Sequence, residues 1–175
     1  MFFNVQELEH RNLSFDVDYR PGEIRFTDAG EDLTQSGSLQ AVGTAQLVGS
    51  VFAEIRVRGH LRVTMATDCD RCLERVEFSI EDDFDLFYRP ADTVRSVHEE
   101  KQIDDGEAEI AFYEGDGVEL EDVLREFVLL SLPMRKTCRP DCKGICPACG
   151  GNRNLVDCGC RREKADERWA ALKNL

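Results

Sequence analysis

The chain has 175 residues, 35 acidic against 22 basic side chains, a net charge of −13 and eight cysteines. That length suffices for one real core plus a small appendage, so cysteine cross-links are not needed merely to fold it. The acidity argues against indiscriminate nucleic-acid binding, and the longest apolar run, Phe127–Leu130, is far below membrane-spanning length.

The charge is unevenly spread. Residues 1–134 carry 30 acidic and 12 basic side chains, whereas residues 135–175 carry 5 acidic and 10 basic. The N-terminus shows no basic region followed by an apolar stretch, so a cytoplasmic protein is expected. Thiols stay reduced there, which favours metal over disulfide.

Leu13, Phe15, Val17 and Tyr19 alternate with polar residues and predict a half-buried strand closed by Pro21-Gly22. Residues 28–37 read as loop, and a strand of small residues is expected over 39–48 with a turn at Gly49-Ser50. The next segment is the clearest. Ile55, Val57, Leu61, Val63 and Met65 share one face, with Arg56, Arg58, His60 and Arg62 on the other. After Cys69–Cys72 the alternation resumes through Val76, Phe78, Ile80, Phe84, Leu86 and Tyr88.

A hairpin centred between Asp70 and Arg71 would set Arg62 against Ser79, His60 against Glu81, Arg58 against Asp83 and Arg56 against Asp85. The same register joins Val63 to Phe78, Leu61 to Ile80 and Val57 to Phe84, so one pairing suits both faces. The arginines therefore read as partners of an acidic ladder rather than an RNA-binding surface. Asp82, on the apolar face, marks a bulge or an edge.

Residues 90–117 read as an acidic, solvated insertion, broken by a short strand at Ala108, Ile110 and Phe112, rather than a lure for a basic partner. Asp116 and Glu119 resemble a capping box, followed by the stripe Leu120, Val123, Leu124, Phe127 and Val128. This predicts a helix over about 117–132, ended by Pro133 and covering the apolar face of the sheet. Residues 163–175 predict a second short helix in which Trp169 is a packing anchor.

The expected fold class is α+β, a mainly antiparallel sheet covered by a helix with a C-terminal Cys-rich zinc module. The expected domains are 1–132 and 133–175. The module carries the spacing C-x3-C-x3-C-x2-C-x8-C-x-C through Cys138, Cys142, Cys146, Cys149, Cys158 and Cys160. A second Cys-x2-Cys lies upstream at Cys69 and Cys72. A thiolate site needs sulfurs about 3.5–4 Å apart around one ion, which short Cys-x2-Cys turns provide at little entropic cost. Eight thiols suit two structural Zn2+ ions: Cys69, Cys72, Cys138 and Cys142 on one, Cys146, Cys149, Cys158 and Cys160 on the other. The first set would clamp the module onto the sheet. The rival is a single site of Cys138 or Cys142 with Cys146 and Cys149.

No catalytic residues are expected. His10, His60 and His98 are scattered outside the cysteine pairs, and no P-loop, Gly-x-Ser-x-Gly or His-Glu-x-x-His motif occurs. A redox-active Cys-x2-Cys normally opens a helix after a strand, whereas Cys69 and Cys72 lie between antiparallel strands.

Pro133-Met134, the run Asp141–Gly150, Asn152, Asn154 and Cys158-x-Cys160 together resemble the YceD-like family of large ribosomal RNA subunit accumulation proteins. The turn at Cys69–Glu74, the helix near 118–132 and Asp166–Leu172 match its layout, and Arg153 departs from it without touching a ligand position. The resemblance covers most of residues 50–175. It implies a non-catalytic accessory factor of large ribosomal subunit biogenesis that supports accumulation of 23S rRNA. The implied partner is a ribosomal protein or the pre-ribosomal large subunit; rRNA contact through the basic C-terminal module is an alternative read from its charge. Two alternatives stay open: a direct RNA-binding zinc protein using Arg135, Lys136, Arg139, Lys143, Arg153, Arg161 and Arg162, and a redox or zinc-sensing regulator.

Overall fold

The computed structural model describes residues 1–26, 33–49, 53–92 and 110–160. The chain divides into two compact units, Met1–Thr67 with Glu77–Met134 and Asp68–Val76 with Arg135–Leu175. The tip of the long hairpin thus groups with the C-terminal segment.

The first unit is built on a sheet whose strands run β2 (Leu13–Tyr19), β4 (Leu39–Val48), β5 (Glu54–Asp68), β6 (Arg75–Pro90) and β7 (Ile110–Tyr113), while β3 (Thr34–Gln35) also pairs with β5. β2, β3, β4 and β5 pair antiparallel, but β7 runs parallel to β6, with Phe87 opposite Ile110 and Pro90 opposite Tyr113. The sheet is therefore mixed, and α+β remains its class. The strand at 39–48 falls where the sequence placed it. Ala41 and Ala45 of β4 are buried, and between them the Phe15 ring leaves no room for a side chain on Gly43.

The helix α2 (Leu120–Ser131) buries Leu120, Val123, Leu124 and Val128 in one cluster with Phe15, Leu39, Ile55, Val57, Leu61 and Phe84. Its apolar stripe covers the sheet as the periodicity predicts, and Leu132 turns extended before Pro133. Two of its carboxylates receive tyrosines: Tyr19 donates to Glu121 Oε1 at 2.6 Å and Tyr88 to Glu126 Oε2 at 3.1 Å. Burial first, then Glu126, raises the Tyr88 phenol well above its ordinary value.

The capping box does not form. Gly117–Glu119 is instead a strand, β8, paired antiparallel with β1 (Phe2–Asn4), Phe3 facing Val118. An extended chain through Glu119 leaves Asp116 too far back to cap, and Glu119 makes no side-chain cap bond. The Leu120 N–H donates to the Met1 carbonyl at 2.8 Å. A short helix, α1 (Val5–Leu8), follows β1 with the Asn4 side chain accepting from Gln6 N–H.

On the outward face of β5 and β6 the charge ladder is present, displaced in part. Arg56 Nε donates to Asp85 Oδ1 at 2.7 Å as a diagonal contact, and its guanidinium lies 5.2 Å from the Phe87 ring centroid. Arg56 foremost holds the Asp85 carboxyl below its ordinary value. His60 reaches both Asp83 at 2.9 Å and Glu81 at 3.9 Å, and Arg62 lies 3.7 Å from Glu81 rather than against Ser79. Asp82 is exposed and accepts from the Asp83 N–H. Among the described residues no helix is long and apolar enough to cross a membrane. Trp169 and the helix expected at 163–175 lie outside the described residues, as do most of residues 90–109.

Candidate metal centres

Two turns of the same construction organise the second unit. In the first, the Cys69 N–H donates to the Glu74 carbonyl at 2.8 Å and the Leu73 N–H to the Cys69 carbonyl at 3.0 Å. In the second, the Cys146 N–H donates to Gly151 at 2.8 Å and the Gly150 N–H to Cys146 at 2.8 Å. Each turn aims two backbone N–H groups at its leading sulfur, those of Arg71 and Cys72 at Cys69 and those of Ala148 and Cys149 at Cys146. The hairpin therefore closes over Asp70–Leu73, not as a two-residue turn between Asp70 and Arg71. The wider loop is what lets both sulfurs converge.

Cys138 and Cys142 come to the first turn from the C-terminal segment. Asp70 and Lys136 bind each other twice, Asp70 N–H to the Lys136 carbonyl at 2.7 Å and Lys136 N–H to Asp70 Oδ2 at 2.6 Å. The Cys138 N–H then donates to Cys69 Sγ at 3.3 Å. Gly144, at φ +70°, passes so near Arg71 that an added Cβ would stand 2.8 Å from its carbonyl oxygen. Next to it, the Ile145 N–H donates to that same carbonyl at 2.9 Å.

The eight thiols gather into two sets of four, Cys69, Cys72, Cys138 and Cys142, and Cys146, Cys149, Cys158 and Cys160; within each set the sulfurs lie within 4.8 Å of one another. All eight are free thiols. Sulfur separations of 3.9 Å for Cys69–Cys142 and 3.6 Å for Cys72–Cys138 match the spacing around one tetrahedral ion. The first set lies wholly within the second unit, since residues 68–76 belong to it.

The thiols differ in acidity for identifiable reasons. Burial pushes Cys69 up, but the N–H groups of Arg71, Cys138 and Cys72 together outweigh it and bring the thiol down to about 6. The N–H groups of Cys149 and Ala148 bring Cys146 down to about 6. Asn154 foremost lowers Cys142. Burial and then its three neighbouring sulfurs push Cys138 up to about 12, and Cys158 and Cys149 push Cys160 to about 12. Four thiolates this close repel one another, so all can ionise together only around a cation. The donor set thus fits a metal, and either set could hold one.

Burial separates the two sets. Cys69, Cys72 and Cys142 are buried, whereas in the second set only Cys146 is, with Cys149 and Cys160 exposed. Around the first set stand polar residues whose role no spacing rule reveals. Asn154 Nδ2 donates to Cys142 Sγ at 3.2 Å, and Asn152 Nδ2 donates to Glu74 Oε1 at 3.0 Å. The only sequence signal for either asparagine was its place in the family-like run. Neither described histidine joins a set: His60 pairs across the sheet and His10 is exposed, while His98 lies outside the described residues. Of the basic side chains, Arg135, Arg139, Lys143 and Arg153 are exposed, with Arg139 3.5 Å from Asp141.

Residues 57–175 match the family model described as large ribosomal RNA subunit accumulation protein YceD. The chain is 32% identical over 126 residues to an uncharacterized protein of Mycobacterium tuberculosis, covering 71% of this chain and 57% of that one. An uncharacterized protein of Mycobacterium leprae is 28% identical over 130 residues, covering 73% of this chain and 56% of the relative. A protein of Arabidopsis thaliana named large ribosomal RNA subunit accumulation protein YCED homolog 1, chloroplastic, is 30% identical over 146 residues, 70% of this chain and 44% of that one. The chain spans little more than half the length of the mycobacterial relatives, 57% in the first case. No solved structure matches it significantly.

Proposed function

The chain belongs to the YceD family, and from that premise we propose that it is a non-catalytic accessory factor in biogenesis of the large ribosomal subunit. In this reading it supports accumulation of large-subunit rRNA in the cytoplasm by binding a ribosomal protein or the pre-ribosomal particle. The observation that carries the reading is the joining of that family match to a unit built around two four-thiol sets.

Each set would hold one structural Zn2+. Zinc bound by four thiolates is closed, with no position for water or substrate, so the ion supplies folding energy rather than Lewis-acid chemistry. The chain's own residues do the rest. The N–H groups of Arg71, Cys72, Ala148 and Cys149 stabilise thiolate charge, and the Asp70–Lys136 pair holds Cys138 against the first turn.

Deleting the gene should lower large-subunit rRNA relative to small-subunit rRNA, and crosslinked pull-down at native salt should recover large-subunit components. Unchanged rRNA ratios would overturn this reading. Direct rRNA contact is a second reading, favoured by the exposed Arg135, Arg139, Lys143 and Arg153. Two tetrathiolate zinc sites bring a net charge of about −2 each and offset that basicity. A steep loss of RNA affinity with salt would support direct contact.

A further inference from the structure

Besides the short segment 143–145 between Cys142 and Cys146, one loop of the second set reaches over the first. Residues 150–157 run between Cys149 and Cys158, both of the second set, so that set tethers the loop at its two ends. Yet the loop's half-buried side chains serve the first set. Asn154 donates through Nδ2 to Cys142 Sγ at 3.2 Å and accepts through Oδ1 from the Lys143 N–H at 2.8 Å. Asn152 holds Asn154 in place, accepting its N–H at 2.9 Å, and donates at 3.0 Å to Glu74 beside the first turn. The Arg153 N–H donates to Gly144 at 2.9 Å, and Ile145 bridges to Asn152. Gly151, Arg153, Leu155, Val156 and Asp157 are exposed, so little apolar burial holds this loop in shape. Its ends and these polar contacts do.

We propose that Asn154 is a positioning residue that makes the two metal sites interdependent: filling the second set fixes the loop that delivers the Asn154 carboxamide to Cys142 of the first. This rests on the reading that both sets bind zinc. An N–H···S bond withdraws charge from a thiolate ligand and orients it, and partners of this kind are worth roughly 10–100-fold in metal affinity. Coupling through binding is reciprocal, so an occupied first set also steadies the loop and hence the second.

The test uses the full chain loaded with zinc alone, with residue-resolved cysteine alkylation during competition by a chelator. Cys158→Ser with Cys160→Ser should speed alkylation of Cys72 and Cys138 about 10–100-fold. Asn154→Asp keeps an acceptor for Lys143 N–H but removes the donor to sulfur, and should do the same with the second set intact. In the double-serine background Asn154→Asp should add little more, because its loop is already released. In cobalt-loaded protein, Asn154→Asp should shift the sulfur-to-cobalt charge-transfer band of one ion, which a loss of stability alone would not move. Unchanged first-set protection in either variant, or fully additive effects, overturns the coupling. If the double-serine chain does not fold, Asn154→Asp and its cobalt spectrum decide the matter. A wild-type chain that binds no zinc removes the zinc reading itself, whereas two zinc ions released independently overturn only the coupling.

Discussion

Leu73 stands in the first thiol turn where Gly150 stands in the second. Both residues follow a Cys-x2-Cys, both donate their N–H to the leading cysteine carbonyl, and both have positive φ, 63° and 72°. Left-handed backbone costs an ordinary L-residue about 1–2 kcal/mol, and glycine avoids this cost. Leu73 is also 62% exposed, so no burial offsets the strain. Leu73→Gly should stabilise the chain by about 0.5–1 kcal/mol after the extra chain entropy of glycine is subtracted. Gly150→Leu should destabilise it in the opposite sense. Denaturant midpoints of the zinc-loaded variants check both, and a lower midpoint for Leu73→Gly would mean that the leucine side chain holds the turn.

Gly43 and Gly59 lie opposite each other on β4 and β5, under two aromatic rings. An added Cβ on Gly43 would sit 2.3 Å from the Arg58 carbonyl oxygen and 2.5 Å from Phe15 Cζ; one on Gly59 would sit 2.3 Å from the Val42 oxygen and 3.1 Å from Phe84 Cζ. The two rings stack with centroids 6.4 Å apart and planes at 16°. Backbone atoms are the obstacle, so relaxation is costly. Ala at either position should lose about 1–3 kcal/mol by overpacking, measured by urea unfolding.

On α2, Leu124 is fully buried, while Phe127 is only partly buried, its ring 5.3 Å from that of Phe84. Leu124→Ala should therefore cost about 2–5 kcal/mol and Phe127→Ala less, toward the low end of that range. Equal denaturation midpoints for wild type and Leu124→Ala would show that the stripe does not carry the core.

What the sequence revealed of this molecule follows from period. The charge ladder on β5 and β6 was legible although the turn was misplaced. Closing the loop between Cys69 and Glu74 moves each partner by two residues, and a shift of two keeps every side chain on its face. That is why His60 meets Asp83 as well as Glu81, and Arg62 meets Glu81 rather than Ser79. The capping box failed for a different reason. Nothing local in Asp116–Glu119 announces that Phe2–Asn4 will pair with it, because that contact spans the whole first unit. The parallel β7 was hidden likewise, since its direction depends on a connection rather than on its own four residues. In the candidate site the grouping of thiols was legible from spacing. The carboxamides of Asn152 and Asn154 were not, since an asparagine in a loop carries no spacing rule.

The last prediction concerns how many ions the thiols hold and when they release them. Metal analysis of the purified chain should find two zinc ions. Cys69→Ser with Cys72→Ser should keep one, because Cys146, Cys149, Cys158 and Cys160 form a set without them. Chelation should unfold the second unit, whose small buried cluster consists of Cys69, Cys72 and Cys142 with Val76 packed against it. Structural zinc contributes about 10–16 kcal/mol of apparent binding free energy, far more than the cluster among the described residues can replace. The first unit keeps its own apolar core, so its amides should stay protected from hydrogen exchange after the metal is removed. Acid should act as chelator does. Protons compete for thiolate, so affinity falls as pH falls, and the more exposed second set should lose its ion first. A wild-type content of one zinc, unchanged in the Cys69→Ser, Cys72→Ser chain, would show that the first set binds none.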